Sequence, residues 1–559
     1  MRRRPIPTVG LLIWSASLGW SPACAQTEAD DPLEILESEI DAAADALRTR
    51  ATRESRSAEL SGEAIGAFRE GDYARAESIL LEQKAIDPNN FVVHYNLACA
   101  HAALGEPDRA NADLRRAVEL GFSNRGHLEQ DPYLRPLHGT DDFRLLLERW
   151  PTVLGLQRAT RLKQTREWVR GRTVERADES LRIDVISAHD APETDAAMRE
   201  IRKVAAWAHA LMPVDGDEAE ESSSSFVVIA LPEKRDFLRW AFWTYGERAR
   251  RAFAGIGGSY EHDEKRLVAQ DLGGTLRHEF FHILHWRDMD RLGQVHPIWI
   301  QEGLASLVED LDPARIAMRV RTGSRVAPEG IDPNLIAEPL IERGQAVAGP
   351  GPDAEGWMPA PSWRSNIVKR LARTGPLPSF ESFTAMDHET FSTSRPLATY
   401  AHARTILLWL ESEGKLGAWY RAYTTDSRVG YDADRSGLLA MESVLEMELP
   451  DIENSYREWV RGDLPMVAET GNDLDGVLGV DIEQKEMVGP MVSRVTRSAR
   501  QRTGLRRLDI ITAIDGRPVH DMKELIRVLS AYEPGETVTV DYRRVRLRES
   551  SEVPLIPRP

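Results

Sequence analysis

The sequence predicts a multidomain α+β protein: helical repeats first, then a mixed sheet joined to a helical half, then a small β-rich module. Three observations carry this reading. Gly71 and Gly105, Ala76 and Ala110, and Leu80 and Leu114 recur at a spacing of 34 residues, the period of a stacked helix pair. From Leu181 apolar residues alternate with polar ones, as in a strand, before helical periods return. After Gly471 short apolar runs again alternate with Gly and Pro turns. A chain of 559 residues, 42% hydrophobic and 29% charged, has the length for several domains and the composition of ordinary globular protein. Its net charge of −18 argues against a nucleic-acid binder, which needs a basic face.

Taken in order, residues 1–25 read as a secretory signal. Arg2, Arg3 and Arg4 form a basic start, Val9–Trp20 is apolar but too short to span a bilayer, and Ala23-Cys24-Ala25 is a small-residue cleavage site. The expectation is an exported chain, periplasmic or extracellular. A lipid anchor through Cys24 is disfavoured by the poor Ser21-Pro22-Ala23 context. Cleavage before Gln26 takes the net charge from −18 to −21 and leaves Cys99 without a disulfide partner. No other stretch is apolar enough for a membrane helix.

Residues 26–150 are assigned to the helical repeats and their caps, with His127–Trp150 as the second cap and Cys99 as a buried small side chain. Residues 151–178 are charged and read as a helical connector. The domain at 179–465 opens with a strand at Leu181–Val185, a helix at Pro192–Leu211, an acidic Ser-rich loop at Gly216–Ser225 and a buried strand at Phe226–Leu231. Gly257–Glu261 and Arg266–Gln270 are expected to pair as a hairpin around His262–Lys265. Beyond Glu309 the pattern is mainly helical, with a Gly- and Pro-rich stretch at Ala346–Pro361 that either overhangs a cleft or is a disordered insertion. Residues 470–559 form the last module.

The chemistry concentrates in Thr275–His285, which holds H-E-x-x-H as His278, Glu279 and His282. Histidines four residues apart on a helix share a face and reach one Zn²⁺, while Leu276, Phe280, Ile283 and Leu284 form an apolar stripe roughly opposite. A catalytic zinc needs a third protein ligand and an open position. Glu302 follows twenty residues after His282, in a second helix opened by Pro297. His285 shares the histidine face, but no histidine-terminated zinc pattern follows it, so an outer or merely packed role is expected; His296 reads as a loop residue.

Trp299, Glu302, Gly303 and Ala305 complete a W-x-x-E-G-x-A run, and with H-E-x-x-H the sequence resembles the gluzincin zinc metallopeptidases. The resemblance implies one Zn²⁺ per chain, held by His278, His282 and Glu302. It implies that Glu279 takes a proton from the water at the metal and delivers it to the leaving amine. It further implies a Tyr or His donor to the tetrahedral oxyanion, matched by Tyr400 in a Y-x-x-A context with His402 as the alternative, and a sheet edge that holds substrate extended, matched by the 257–270 hairpin. The 34-residue units resemble tetratricopeptide repeats, with Gln83 standing where alanine is usual, and imply a surface for a protein partner or a plain spacer.

Residues 471–554 resemble a PDZ domain. Gly476-Val-Leu-Gly-Val480 matches the loop that holds a peptide carboxylate, and Gly504–Gly516 matches the G-L-x-x-G-D-x-I-x-x-I-D-G run except at Leu508. Met522–Leu529 is the expected groove helix, with the strand Thr537–Tyr542 after it. The implied mode is strand addition of a peptide, with Leu478, Gly479 and Val480 at the carboxylate end. Together these implications describe an exported zinc peptidase whose flanking modules recruit substrate. Two alternatives stand beside it. One is an aminopeptidase resembling the PDZ-containing glycyl aminopeptidases, although G-x-M-E-N is absent and only Glu261 or Asp263 stands in as an amine anchor. The other is a non-enzymatic scaffold with a structural zinc domain. No serine-nucleophile turn is present.

Overall fold

The computed structural model describes residues 56–169, 171–212, 225–231, 234–245, 257–262, 264–270, 272–313, 357–485, 489–545 and 547–558. The expected signal at 1–25, the expected acidic loop at 216–224, Asp263 and the stretch 346–356 lie outside the described residues.

The repeats fold as the 34-residue period requires. Residues 56–70 are helical, and helices Tyr73–Ile86, Phe91–Ala103 and Pro107–Glu119 follow. Gly71 and Gly105 occupy the same place in successive units and both have left-handed backbone (φ 76° and 78°), which lets the chain reverse between helices. Asp72 and Asn90 cap the helices that follow them. Gln83, the departure from the repeat pattern, has a structural reason: its amide donates to Ser57 O at 3.0 Å and Ser57 Oγ at 3.1 Å, tying the first helix to the second. Cys99 is buried as expected, with Sγ 3.5 Å from Asp131 Oδ2; burial and that carboxylate push its thiol pKa up.

Helix Trp150–Trp168 leads into a five-stranded sheet of order β1-β2-β3-β5-β4: β1 Val174–Asp178, β2 Ile183–Ser187, β3 Phe226–Ala230, β4 Gly258–Glu261 and β5 Arg266–Ala269. The central pairs β2/β3 and β3/β5 are parallel, and both outer pairs are antiparallel. The helical reading of 151–178 therefore holds only to Trp168, because Val174–Asp178 pairs with β2. Nor is β2 a half-exposed strand: all five of its residues are buried. Ile183 and Val185 pack under Ala197, Met198 and Ile201 of helix Ala191–Leu211. Ile186 packs on the other face with Val227, Ile229 and Trp240. The strand expected from the alternation at Leu181–Val185 is present, but its polar positions Asp184 and Ser187 are buried as well, so the alternation does not mark a solvent-facing side.

Below the sheet lies the HExxH helix, Gly274–Leu292, ended by left-handed Gly293. The glutamate helix Ile298–Leu307 and the tyrosine helix Pro396–Ser412 pack together across it. They approach closely because Gly303 carries no side chain: a Cβ there would sit 2.8 Å from Leu407 Cδ1 and 3.1 Å from Ala403 O. Arg404, fully buried, clamps the junction by donating to Ser306 O at 2.8 Å and Ala360 O at 2.5 Å. A short ladder of β6 Leu311–Pro313 and β7 Trp357–Pro359 closes this side.

The last module is a six-stranded antiparallel sheet. Its order is β14-β13-β11-β10-β9, with β12 beside β11: β9 Asp481–Lys485, β10 Gly489–Arg494, β11 Ile510–Ile514, β12 Arg517–Pro518, β13 Thr537–Arg544 and β14 Leu547–Pro554. Helix Met522–Leu529 lies where expected, and β8 Gly476–Val477 pairs separately with β15 Ile556–Pro557. Leu508, which replaces a glycine of the resembled run, is 57% exposed with φ 73°, so the departure falls on a surface turn. No helix among the described residues is long and apolar enough to cross a membrane.

Candidate metal centre

His278 and His282 project from one face of the HExxH helix, and Glu302 reaches them from the glutamate helix. His278 Nε2 lies 3.2 Å from Glu302 Oε2 and 3.2 Å from His282 Nε2, and His282 Nε2 lies 3.7 Å from Glu302 Oε2. Tetrahedral zinc with N/O bonds of about 2.05 Å separates neighbouring ligand atoms by about 3.3 Å, so three corners of a tetrahedron are already formed.

The chemistry of the donor atoms fits a cation as well. His278 Nδ1 lies 2.9 Å from Glu309 Oε1. If Nδ1–H donates to that carboxylate, the neutral ring turns the Nε2 lone pair toward the Glu302 oxygen and the other imidazole. Lone pairs converging at 3.2 Å need a positive centre between them. Without a metal a proton fills that role: burial opposes charge on His278, yet Glu302 and Glu309 push its pKa up to about 10. Burial would raise Glu302, but His282 and His278 hold it well below the ordinary carboxylate range. Two histidines and one carboxylate with a fourth corner open are a donor set for zinc.

Glu309 was not singled out from sequence. It stands seven residues after Glu302, in the 3-10 turn Val308–Asp310 that follows the glutamate helix, and that spacing was the available signal. Arg364 grips it from the far side, Nε to Oε2 at 2.6 Å and Nη2 to Oε1 at 2.9 Å. Burial would raise Glu309, but Arg364 and His278 lower it to about 2. Arg277, beside His278, donates to Glu309 O at 2.6 Å and Val308 O at 3.2 Å, which fixes the backbone behind the carboxylate.

Glu279 faces the same cleft but is not one of the three clustered ligands. Its side chain runs beneath β4: a Cβ on Gly258 would meet Glu279 Cγ and Thr275 Cγ2 at 2.7 Å. Gly258 is thus the cradle of Glu279, while Gly257 lies against Thr275, a second feature that spacing alone did not reveal. Burial raises the Glu279 pKa, the two imidazoles oppose this, and Glu302 and Glu309 add to it; the net shift is upward. An upward shift suits a carboxylate that both accepts and returns a proton near neutral pH.

The cleft has a volume of about 1610 Å³. Tyr260 of β4 stacks on the His282 ring, centroids 5.9 Å apart. The expected hairpin is present, and among the described residues β4 is an edge of the sheet. Tyr400 lines the cleft, and burial followed by the Glu302 charge raises its phenol pKa, so the hydroxyl keeps its proton. His402 does not line it. Its ring packs against Phe383 (4.5 Å) and Tyr456 (5.8 Å), which removes it as the alternative donor. His285 and His296 meet each other, Nε2 to Nδ1 at 2.8 Å, and both are buried at the cleft floor. The carboxylate of Glu261 is held by Arg266 at 2.5 Å and does not line the cleft, so it offers no amine anchor there. Leu478 is buried in the core of the last module, Val480 packs partly against it, and Gly479 between them is left-handed (φ 73°).

Residues 476–555 match the PDZ domain family, and this part of the chain is a PDZ domain. No curated protein matches the chain. Among solved structures, a protein of the aminopeptidase N family from Idiomarina loihiensis is similar over 69% of this chain and 67% of its own, at 13% identity and a TM-score of 0.23. A likeness that loose leaves the site to be judged on its own geometry.

Proposed function

We propose that the chain is an exported zinc-dependent peptidase that cleaves extended peptides lying along the edge of β4 beside the HExxH helix. The observation that carries this is the convergence of His278, His282 and Glu302 beside a buried carboxylate that is not one of the clustered ligands. A purely structural metal site has no use for Glu279. Bound at the three ligands, zinc supplies Lewis-acid polarisation and lowers the pKa of water to about 7.

The chain's own residues do the rest. The free edge of β4 aligns the substrate backbone by hydrogen bonds. Glu279 accepts the proton of the attacking water and passes it to the departing amine nitrogen. Tyr400 donates its hydroxyl hydrogen to the carbonyl oxygen as negative charge develops there. Glu309 holds the His278 ring in one tautomer. The helical repeats and the PDZ domain recruit protein or peptide, and neither takes part in the bond-breaking step.

The test compares purified wild-type protein with Glu279→Gln for zinc content and for cleavage of casein. Equal zinc and a loss of at least ~10³-fold in rate are expected. Equal activity in the two proteins would refute the mechanism. N-terminal sequencing of the products then separates internal cleavage from aminopeptidase trimming.

A further inference from the structure

The PDZ domain is held against the metal-bearing domain by ion pairs spread over several elements. Glu524 of the Met522–Leu529 helix meets Arg277 at 3.1 Å, one residue before His278. Arg527 meets Asp310 at 3.2 Å, Arg543 meets Glu193 at 3.3 Å, and Arg548 meets Asp190 at 2.8 Å. The Lys523 ammonium lies over the Trp363 ring, 4.2 Å from its centroid. As a result the wall of the catalytic cleft is completed by PDZ residues: Gln484, His520, Asp521, Lys523, Glu524 and Arg527.

These residues mark one end of the PDZ groove. Gln484 lies near the end of β9, and His520 and Asp521 precede the groove helix; Gln484 Oε1 accepts from Met522 N–H at 2.9 Å, forming a sill between them. At the opposite end lies the loop Leu478–Val480, with left-handed Gly479. Arg502 backs this loop, with Nη2 3.4 Å from Leu478 O. Its Nε is buried without a partner, and no described carboxylate pairs with it. Among the described residues β9 pairs only with β10, so its other edge is open.

Polarity follows from this placement. A peptide with its carboxylate at Leu478–Val480 and its backbone along β9 must run antiparallel to β9. Its upstream residues leave the groove at Gln484, where the cleft wall begins. We propose that the PDZ groove and the catalytic cleft form one continuous track, which captures an unfolded protein or peptide by its free C-terminus and leads the upstream chain to the metal centre. Given the peptidase activity proposed above, on which this rests for the cut itself, the scissile bond lies at a near-constant distance from the substrate's C-terminus. β9 accounts for about 17 Å, or about five residues, and crossing from Gln484 to His278 takes a few more. The C-terminal product is then roughly eight to twelve residues long.

Full-length Glu279→Gln protein tests the track without turnover. The probe is an unstructured peptide of about twenty residues ending in a valine carboxylate, with a photo-crosslinker about ten residues upstream of that end. Crosslinks are expected in the HExxH or glutamate helix. C-terminal amidation, or Arg502→Glu in the protein, is expected to weaken binding at least ~10-fold. Crosslinks confined to the PDZ surface, or affinity indifferent to amidation, overturn the proposal. With wild-type protein, residues added at the peptide's N-terminus should leave the C-terminal product unchanged. Equal cleavage of free and amidated peptides at one site would retain the peptidase and refute the track. Crosslinking in the cleft with no cleavage of any peptide would retain the track and refute the peptidase.

Discussion

Glu309→Gln separates two roles that one carboxylate performs. In the wild-type protein Oε1 lies 2.9 Å from His278 Nδ1, and both oxygens bind Arg364. The amide has one acceptor oxygen, and the buried guanidinium claims it, so its NH2 turns to His278 Nδ1, which can then no longer donate. Losing an outer partner of a metal-bound histidine typically costs 10–100-fold in metal affinity, about 1.4–2.7 kcal/mol. Separately, Arg364 is left as a largely buried charge without its charged partner, a loss of about 3 kcal/mol in fold stability. The two effects are read by different assays: zinc competition against a chelator, and thermal unfolding of the metal-free protein. Adding Arg364→Met removes the orphaned charge and should restore much of the stability while leaving zinc affinity low. Zinc affinity within twofold of wild type in Glu309→Gln, alongside lowered stability, would show that Glu309 serves only Arg364.

Three further outcomes follow from the same geometry. Tyr400→Phe should lower kcat by ~10²-fold with little change in KM or zinc content, and a pure KM effect would remove the oxyanion role. Gly258→Ala places a methyl within 2.7 Å of Glu279 Cγ, so activity should fall by at least ~10-fold while zinc remains bound; wild-type rates would show that β4 yields freely. Acid sensitivity should come partly from His402, whose pKa burial, with a minor contribution from Arg457, lowers to about 3. The unfolded chain titrates near 6.5 and so binds more protons between pH 6.5 and 3, which means stability falls as pH drops through that window. From pH 6.5 to 4.5 His402 accounts for about 2 kcal/mol of the loss, and His402→Phe should remove that share; an unchanged acid slope in denaturant titrations would contradict the assignment.

What the sequence determined by itself was local. The 34-residue period placed the helical turns at Gly71 and Gly105, the four-residue histidine spacing set His278 and His282 on one face, and the C-terminal run was legible as a PDZ domain down to the limits of its helix. Each of these is written in the repeat of a single element, where 3.6 residues per turn or a two-residue alternation leaves a direct trace. Strand β1 escaped because it is an edge of five residues after a long helix; β2 was legible from its alternation, but not its burial on both faces, which only the packing against helix and sheet decides.

The tertiary structure alone decided which distant groups meet. Glu309 behind His278, Gly258 over Glu279, the turning of His402 into the core and the seating of Glu524 against Arg277 join residues far apart in the chain, and no spacing rule links them. Packing and paired burial of charge select those contacts from many that the same sequence pattern would allow.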